Sequence, residues 1–433
     1  MSDLAGQLDI ELHSTGAAPG AVIRSSRPLT AARIFAGKPL AAVSSQLPLL
    51  FSVCGTAQAM ACAVACEAAL GWSPAPSVVH ARGLLLRAET IKEHLWRLLL
   101  DWPKALIRLD AMPAVVHMTT SAREREAAMA AAMRAFLQLR AALTAGADPF
   151  LPGAPVNQPP TDVLENASAI LALTAVEQVF GTVPADWLAG VTTAADLDAW
   201  ATRADTAAAA LVRMVAEQGL ADLGRCDVGT LPAGSGGALA PGLLEGLAAA
   251  LAADAFVAAP LLDGQPMETT PFARELHRGG LVAGLAAVHG NGLLPRLAAL
   301  LVELARDSAA LAAAPLDAPL DAPVGAPAVA ALAPVSGTAM VAGIGAAPAA
   351  RGLLVHRLEL LRGAAPETTR VLGYRMLAPT EWNFHPEGVV AKGLADIAAA
   401  GPADAGRPDR IGARARMLIT AVDPCVDYRL SVS

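Results

Sequence analysis

Five cysteines carry the softest ligating chemistry in this 433-residue chain: Cys54, Cys62, Cys66, Cys226 and Cys425. A thiolate can bind a soft metal or act as a nucleophile, whereas a buried thiol packs as a small apolar group. The cysteine number is odd, and MSDLAGQLDIELHSTG has neither the basic start nor the continuous apolar run of a secretory leader. Free thiols in a reducing, cytoplasmic setting are therefore expected rather than a disulfide framework. Cys54 stands where the apolar run LPLLFSV meets Gly55 and a helical pattern begins. Unpaired N–H groups at a helix N-terminus favour an anion, so this placement is expected to lower the thiol's pKa. Cys425 follows a rigid Asp-Pro step in AVDPCVDYRLSVS. Cys62 and Cys66 fall at i, i+4 on the helix that Cys54 opens, where cysteines of an alanine-rich helix are expected to pack in the core, and Cys226 in LGRCDVG reads the same way.

Other polar residues offer less. Glu93 and His94 lie on an amphipathic helix, in an interhelical hydrogen bond or on a solvated face. Trp382 and Asn383 fit an ordered turn with a packed ring and a capped backbone, and Asp427 could add an oxygen ligand beside Cys425. No Walker loop, GxGxxG after a strand, HExxH, GxSxG or paired CxxC is present.

Composition sets the scaffold for these groups. Apolar residues make up 54% of the chain but aromatics only 4%, so much of the core is alanine and helices packed through small side chains are expected. The fold class read from the pattern is mainly α with smaller β elements (α+β). Alternation in QLDIELH and GAVIRSS predicts an N-terminal hairpin within a β region over 1–50. A helical body over 51–313 follows, with helices at 55–70, 82–100, 122–144 and 162–181, further ones through 195–220 and 238–258, and LLPRLAALLVELARDSAALAA at its end. The Pro/Ala-rich stretch 314–336, with its APLD repeat, reads as a linker or loop. In the mixed region 337–433, TAMVAGIG, GLLVHRLELL and RVLGYRMLA alternate as strands, a helix is expected at about 388–400, and ARMLITAV is a further apolar segment. A net charge of -7 leaves no electrostatic footprint for nucleic acid, and the absence of an uninterrupted apolar run of about 18 residues argues against membrane insertion.

Several separate stretches share a pattern. CGTAQAMA and DPCVDY resemble the two cysteine motifs of nickel-iron hydrogenase large subunits, CGxC and DPCxxC. HARGLLLRAETIKEHLWRLLLDW is similar to that family's long helix leading to a Leu-Asp-Trp turn. ARGLLVHRLEL resembles its PRGxLxHW segment, and YRMLAPTEWNFHPEG resembles YQxVxPTTWNxxP, all in the family's order. The resemblance implies a single large-subunit-like domain over 1–433. It implies that Cys54 and Cys425 are metal ligands, and that Arg351 and Thr380 stand where the family donates hydrogen bonds to iron-bound cyanide.

The departures are equally informative. The second, metal-bridging position of each cysteine motif is Ala57 or Tyr428. The family's Arg before the first motif is Ser52, its following His is Ala61, the closing His is Ser431 and the Pro before Arg351 is Ala350. This pattern is similar to the hydrogenase expression/formation proteins of the HupK/HoxV type. It implies a non-catalytic maturation scaffold that transiently carries iron with its carbonyl and two cyanides, Fe(CN)2(CO), and no nickel. Its expected partners are maturation factors, including a small HypC-type assembly chaperone, and the apo large subunit. Neither the closing His nor a long extension after it is present, so nickel-checked proteolysis would have no substrate. Two alternatives stay open: a divergent catalytic subunit with a rearranged centre drawing on Cys62 or Cys66, and a metal-free decoy that binds large-subunit partners.

Overall fold

A computed structural model describes residues 6–14, 20–107, 109, 120–153, 161–233, 239–240, 242–313, 328–332, 339–399 and 408–433. The N-terminal hairpin forms as the alternation predicts. Strand β1 (Leu8–His13) buries Leu8, Ile10 and Leu12 and pairs antiparallel with β2 (Gly20–Ser25). The last strand, β7 (Tyr428–Val432), joins the opposite edge of β1 in parallel, with Tyr428 opposite Leu8 and Leu430 opposite Ile10. The two ends of the sequence thus share one sheet.

After the hairpin comes helix α1 (Leu40–Leu50), which the sequence reading left inside a β region. Helix α2 (Gly55–Leu70) is flanked by Cys54 and by Gly71 in the left-handed conformation. Helix α3 (Pro76–Trp96) continues into a π-helical turn, Arg97–Asp101. The helix Ala122–Thr144 starts at a Ser121/Glu124 capping box, a local signal that sets its first residue. The long helix Leu293–Ala313 occupies the range that its sequence pattern implies, while 195–220 resolves into two helices, Ala194–Arg203 and Ala207–Glu217.

A second sheet has the order β3-β4-β5-β6, with β3 Ala328–Leu332, β4 Met340–Ala349, β5 Gly352–Leu361 and β6 Arg370–Leu377. Strand β3 corrects the reading of 314–336 as linker. Residues 328–332 pair antiparallel with β4, whose long edge offers them a backbone ladder, whereas the APLD repeat lies outside the described residues. ARMLITAV likewise belongs to a helix, Pro408–Val422.

The alanine-rich α2 lies against β4 at a separation that only glycine permits. A Cβ on Gly345 would come within 2.6 Å of the Ala65 backbone nitrogen and 2.7 Å of the Ala61 carbonyl oxygen. By length and composition two described helical stretches, Ser52–Leu70 and Asp162–Phe180, could cross a membrane; 89% of the first is buried inside the protein, where it packs against this sheet.

Because α2 carries Cys54 and has no room to move, Gly345→Ala should destabilise the protein by about 1–3 kcal/mol through overpacking. Denaturant unfolding of the variant against the parent measures this.

Candidate metal site

Cys425 owes its place to two neighbouring elements. The helix Pro408–Val422 ends at Asp423, which adopts a left-handed φ of 64°, and β7 begins three residues beyond Cys425. Parallel pairing fixes the start of β7 beside Leu8, and Leu8 also faces Ser25 at the end of β2. Arg27, two residues past β2, therefore arrives beside Cys425, with Nη1 3.2 Å from Sγ. From the other side the Thr380 hydroxyl lies 2.7 Å from the same sulfur and accepts from the Cys425 amide at 3.3 Å. Arg27 is anchored in turn by Glu381, whose Oε1 is 2.7 Å from Nε and whose Oε2 accepts from the Ala378 amide.

Cys54 reaches the same place from the N-terminus of α2. Cys54 and Cys425 line one cavity of about 140 Å³, together with Arg27, Gln58, Glu381, Met376 and apolar residues of the segment 50–53. A single water needs only about 10–15 Å³ of such space, so the cavity admits a guest of a few diatomic groups. The structure thus brings together Cys54, Cys425 and, through the latter's sulfur, Thr380. Gln58 donates toward Cys54 Sγ at 3.6 Å, its carbonyl oxygen meets His356 Nε2 at 2.9 Å, and His356 Nδ1 lies 3.0 Å from the Tyr374 hydroxyl.

The expected low pKa of Cys54 is overturned. Burial pushes the thiol up to about 12, with the negative charges of Cys425 and Glu89 adding to the effect. The helix end does not compensate, because the buried Glu89 carboxylate already accepts from the first free amides of α2, Thr56 at 2.8 Å and Ala57 at 3.0 Å. The partial positive charge meant for a thiolate is spent on Glu89.

Arg351 sits in the two-residue turn between β4 and β5, its carbonyl oxygen held by Asn383 Nδ2 at 3.1 Å. Its guanidinium is engaged by carboxylates: Nη1 to Glu93 at 2.8 Å and Nε beside Asp423 at 2.8 Å, with Arg97 3.4 Å from the same Asp423 oxygen. Burial alone would raise the Glu93 carboxyl, but Arg351 and Lys92 overcome it and hold the group below the usual range. Arg351 is close enough to Cys54 to favour its thiolate, yet it is not among the residues lining the cavity.

The remaining candidates are placed as follows. Cys62 and Cys66 are buried with Phe35, Leu358 and Tyr374 in a separate apolar cluster, Cys62 within hydrogen-bonding reach of Cys66, His356 and Tyr374. Cys226 takes a hydrogen bond from Asn291 elsewhere. Asp427 is exposed and its carbonyl oxygen accepts from Leu8 in the sheet. His94 meets Glu303 at 2.8 Å in an interhelical bond, and Trp382 is fully buried against Phe256. Sequence reasoning missed Arg27, Gln58, Glu381 and Asp423. Glu381 carried a signal, as the variable residue of PTxWN, and Asp423 as the residue before Pro424; nothing local ties Arg27 to Cys425.

In the metal-free protein, alkylation of Cys54 by a neutral reagent should keep rising about tenfold per pH unit from pH 7 to 9, since the thiolate fraction is still far from saturation below a pKa near 12. A plateau in that range would contradict the geometry. Arg351→Met leaves Glu93 to Lys92 and Asp423 to Arg97 alone and should cost about 1–3 kcal/mol, measured by denaturant unfolding.

The chain is 32% identical over 420 residues to the hydrogenase expression/formation protein HoxV of Cupriavidus necator, covering 95% of this chain and 92% of the relative. It is 31% identical over 434 residues to the hydrogenase expression/formation protein HupK of Azotobacter vinelandii, covering 99% of each. No family model matches the chain. Among solved structures, the reduced, active Ni-Fe-Se hydrogenase of Desulfomicrobium baculatum is similar with a TM-score of 0.59 at 13% identity, covering 98% of this chain and 97% of that one. An NAD+-reducing NiFe hydrogenase gives 0.58 at 16% identity, covering 95% and 93%. These low identities speak for the fold alone, and that fold is the nickel-iron hydrogenase large-subunit fold expected from the motifs. With whole-length identity to curated relatives and the cysteine, RG and PTxWN segments in order, the chain belongs to the family of hydrogenase expression/formation proteins of the HupK/HoxV type.

Proposed function

We propose that this protein serves hydrogenase formation as a non-catalytic scaffold, holding an iron that carries its own carbonyl and two cyanides between Cys54 and Cys425 and passing it to the apo large subunit. The observation that carries this reading is the shared cavity: two thiols from opposite ends of the sequence line one space of about 140 Å³. Among the described residues no group of three or more His, Cys, Asp or Glu side chains is arranged to hold a metal ion. A guest bound here would draw two ligands from the protein and bring the others itself, which suits an iron already bearing diatomic ligands.

The two positions that would bridge a second metal are occupied by structure. Ala57 is buried and its amide is held by Glu89, while Tyr428 begins β7. The divergent-enzyme alternative gains nothing from Cys62 and Cys66, which do not line the cavity.

The sulfur chemistry suits a carrier. At Cys425 the sulfur is already contacted by Arg27 Nη1 and by the Thr380 hydroxyl, whereas burial holds the proton of Cys54 strongly. Loading therefore releases a proton from Cys54, and return of that proton competes with iron and favours release. Upstream, the donor would be a maturation complex containing a small HypC-type chaperone; downstream, the acceptor would be the apo large subunit.

Protein isolated with its maturation partners should contain iron without stoichiometric nickel and show carbonyl and cyanide stretching bands in the infrared. Cys54→Ala and Cys425→Ala should each abolish those bands. Bands that survive both substitutions would sink the assignment.

A further inference from the structure

We propose that Arg27 forms a small-anion subsite on the wall of the thiol cavity and, given the carrier reading on which the anion's identity rests, donates to the nitrogen end of an iron-bound cyanide. Two arginines lie near the sulfurs, and their surroundings differ. Arg351 is divided between the Glu93 and Asp423 carboxylates and does not line the cavity. Arg27 does line it, with a side chain only 14% exposed.

A guanidinium offers five N–H donors in one plane. In Arg27, Nη1 is on Cys425 Sγ at 3.2 Å. Nε lies 2.7 Å from Glu381 Oε1 but is not aligned for a hydrogen bond, so that contact is an ion pair alone. No hydrogen-bond partner for Nη2 is found among the described residues. Anything bound at Cys425 Sγ must carry its remaining ligands past a cation that already touches that sulfur.

The position is also rigid. Arg27 lies two residues past β2, whose pairing partner β1 also aligns β7, so the Arg27 and Cys425 backbones are indexed to the same strand. Lysine would supply charge but not the planar pair of donors, which makes Arg27→Lys a stringent variant.

Two measurements test the subsite. In loaded protein, Arg27→Lys and Arg27→Met should retain iron and the carbonyl band while one of the two cyanide bands shifts. In metal-free protein, thiocyanate should slow alkylation of Cys425 by iodoacetamide severalfold in the parent and not in Arg27→Met. If the single variant fails to fold, Arg27→Met/Glu381→Gln, which leaves no buried carboxylate stranded, replaces it. Unmoved cyanide bands with undiminished thiocyanate protection overturn the subsite and leave the carrier reading standing. Arg27-dependent protection in a protein that never shows carbonyl or cyanide bands keeps the subsite and overturns the carrier reading.

Discussion

Parallel pairing of β7 with β1 is the constraint on which the rest of the site depends. A parallel neighbour cannot be reached by a tight turn, and here the chain runs through its whole helical body before closing this ladder. Once closed, the register places Tyr428 opposite Leu8 and Leu8 opposite Ser25. The residues just before β7 and just after β2 then meet at one end of the sheet. Arg27, two residues past β2, and Cys425, three before β7, meet there, and the adjacent Glu381 and Thr380 hold the pair from the other side.

A second layer of order comes from buried charge. Asp423, in a left-handed conformation after the helix Pro408–Val422, takes both Arg351 and Arg97, and Arg351 also takes Glu93 from α3. These pairs join the β4–β5 turn, α3 and the C-terminal segment around the cavity. Buried ion pairs are weak sources of net stability, because desolvation offsets most of the attraction. Their effect here is geometric: alternative placements of the Asp423–Cys425 turn would leave charges without partners.

Glu89 shows how such a network changes chemistry. By accepting the Thr56 and Ala57 amides it satisfies the start of α2 without help from Cys54. Cys54 is left buried near another sulfur and a carboxylate, and its proton is held tightly. The resemblance to a large subunit thus extends through the backbone, while the electrostatics around the first cysteine keep its thiol protonated.

Much of the fold was legible from local pattern. Helix α2, the helix Ala122–Thr144 and the helix Leu293–Ala313 lie where periodicity and end signals put them, since the left-handed Gly71 and the Ser121/Glu124 box act within a few residues. The strands β4 to β6 were likewise visible as alternation, and the ordered CG, RG, PTxWN and DPC segments singled out Cys54, Arg351, Thr380 and Cys425 as residues to compare. The role of β3 was hidden, because a short alanine-rich run becomes a strand only when a long partner offers its edge. Arg27 was hidden for the same kind of reason: its contact with Cys425 exists only through the pairing of distant strands. Sequence alone determined which groups could ligate, through residue type and short-range motif. Tertiary structure decided which of them meet, which stay protonated and which cation faces them, because burial and charge at a point depend on every element packed around it.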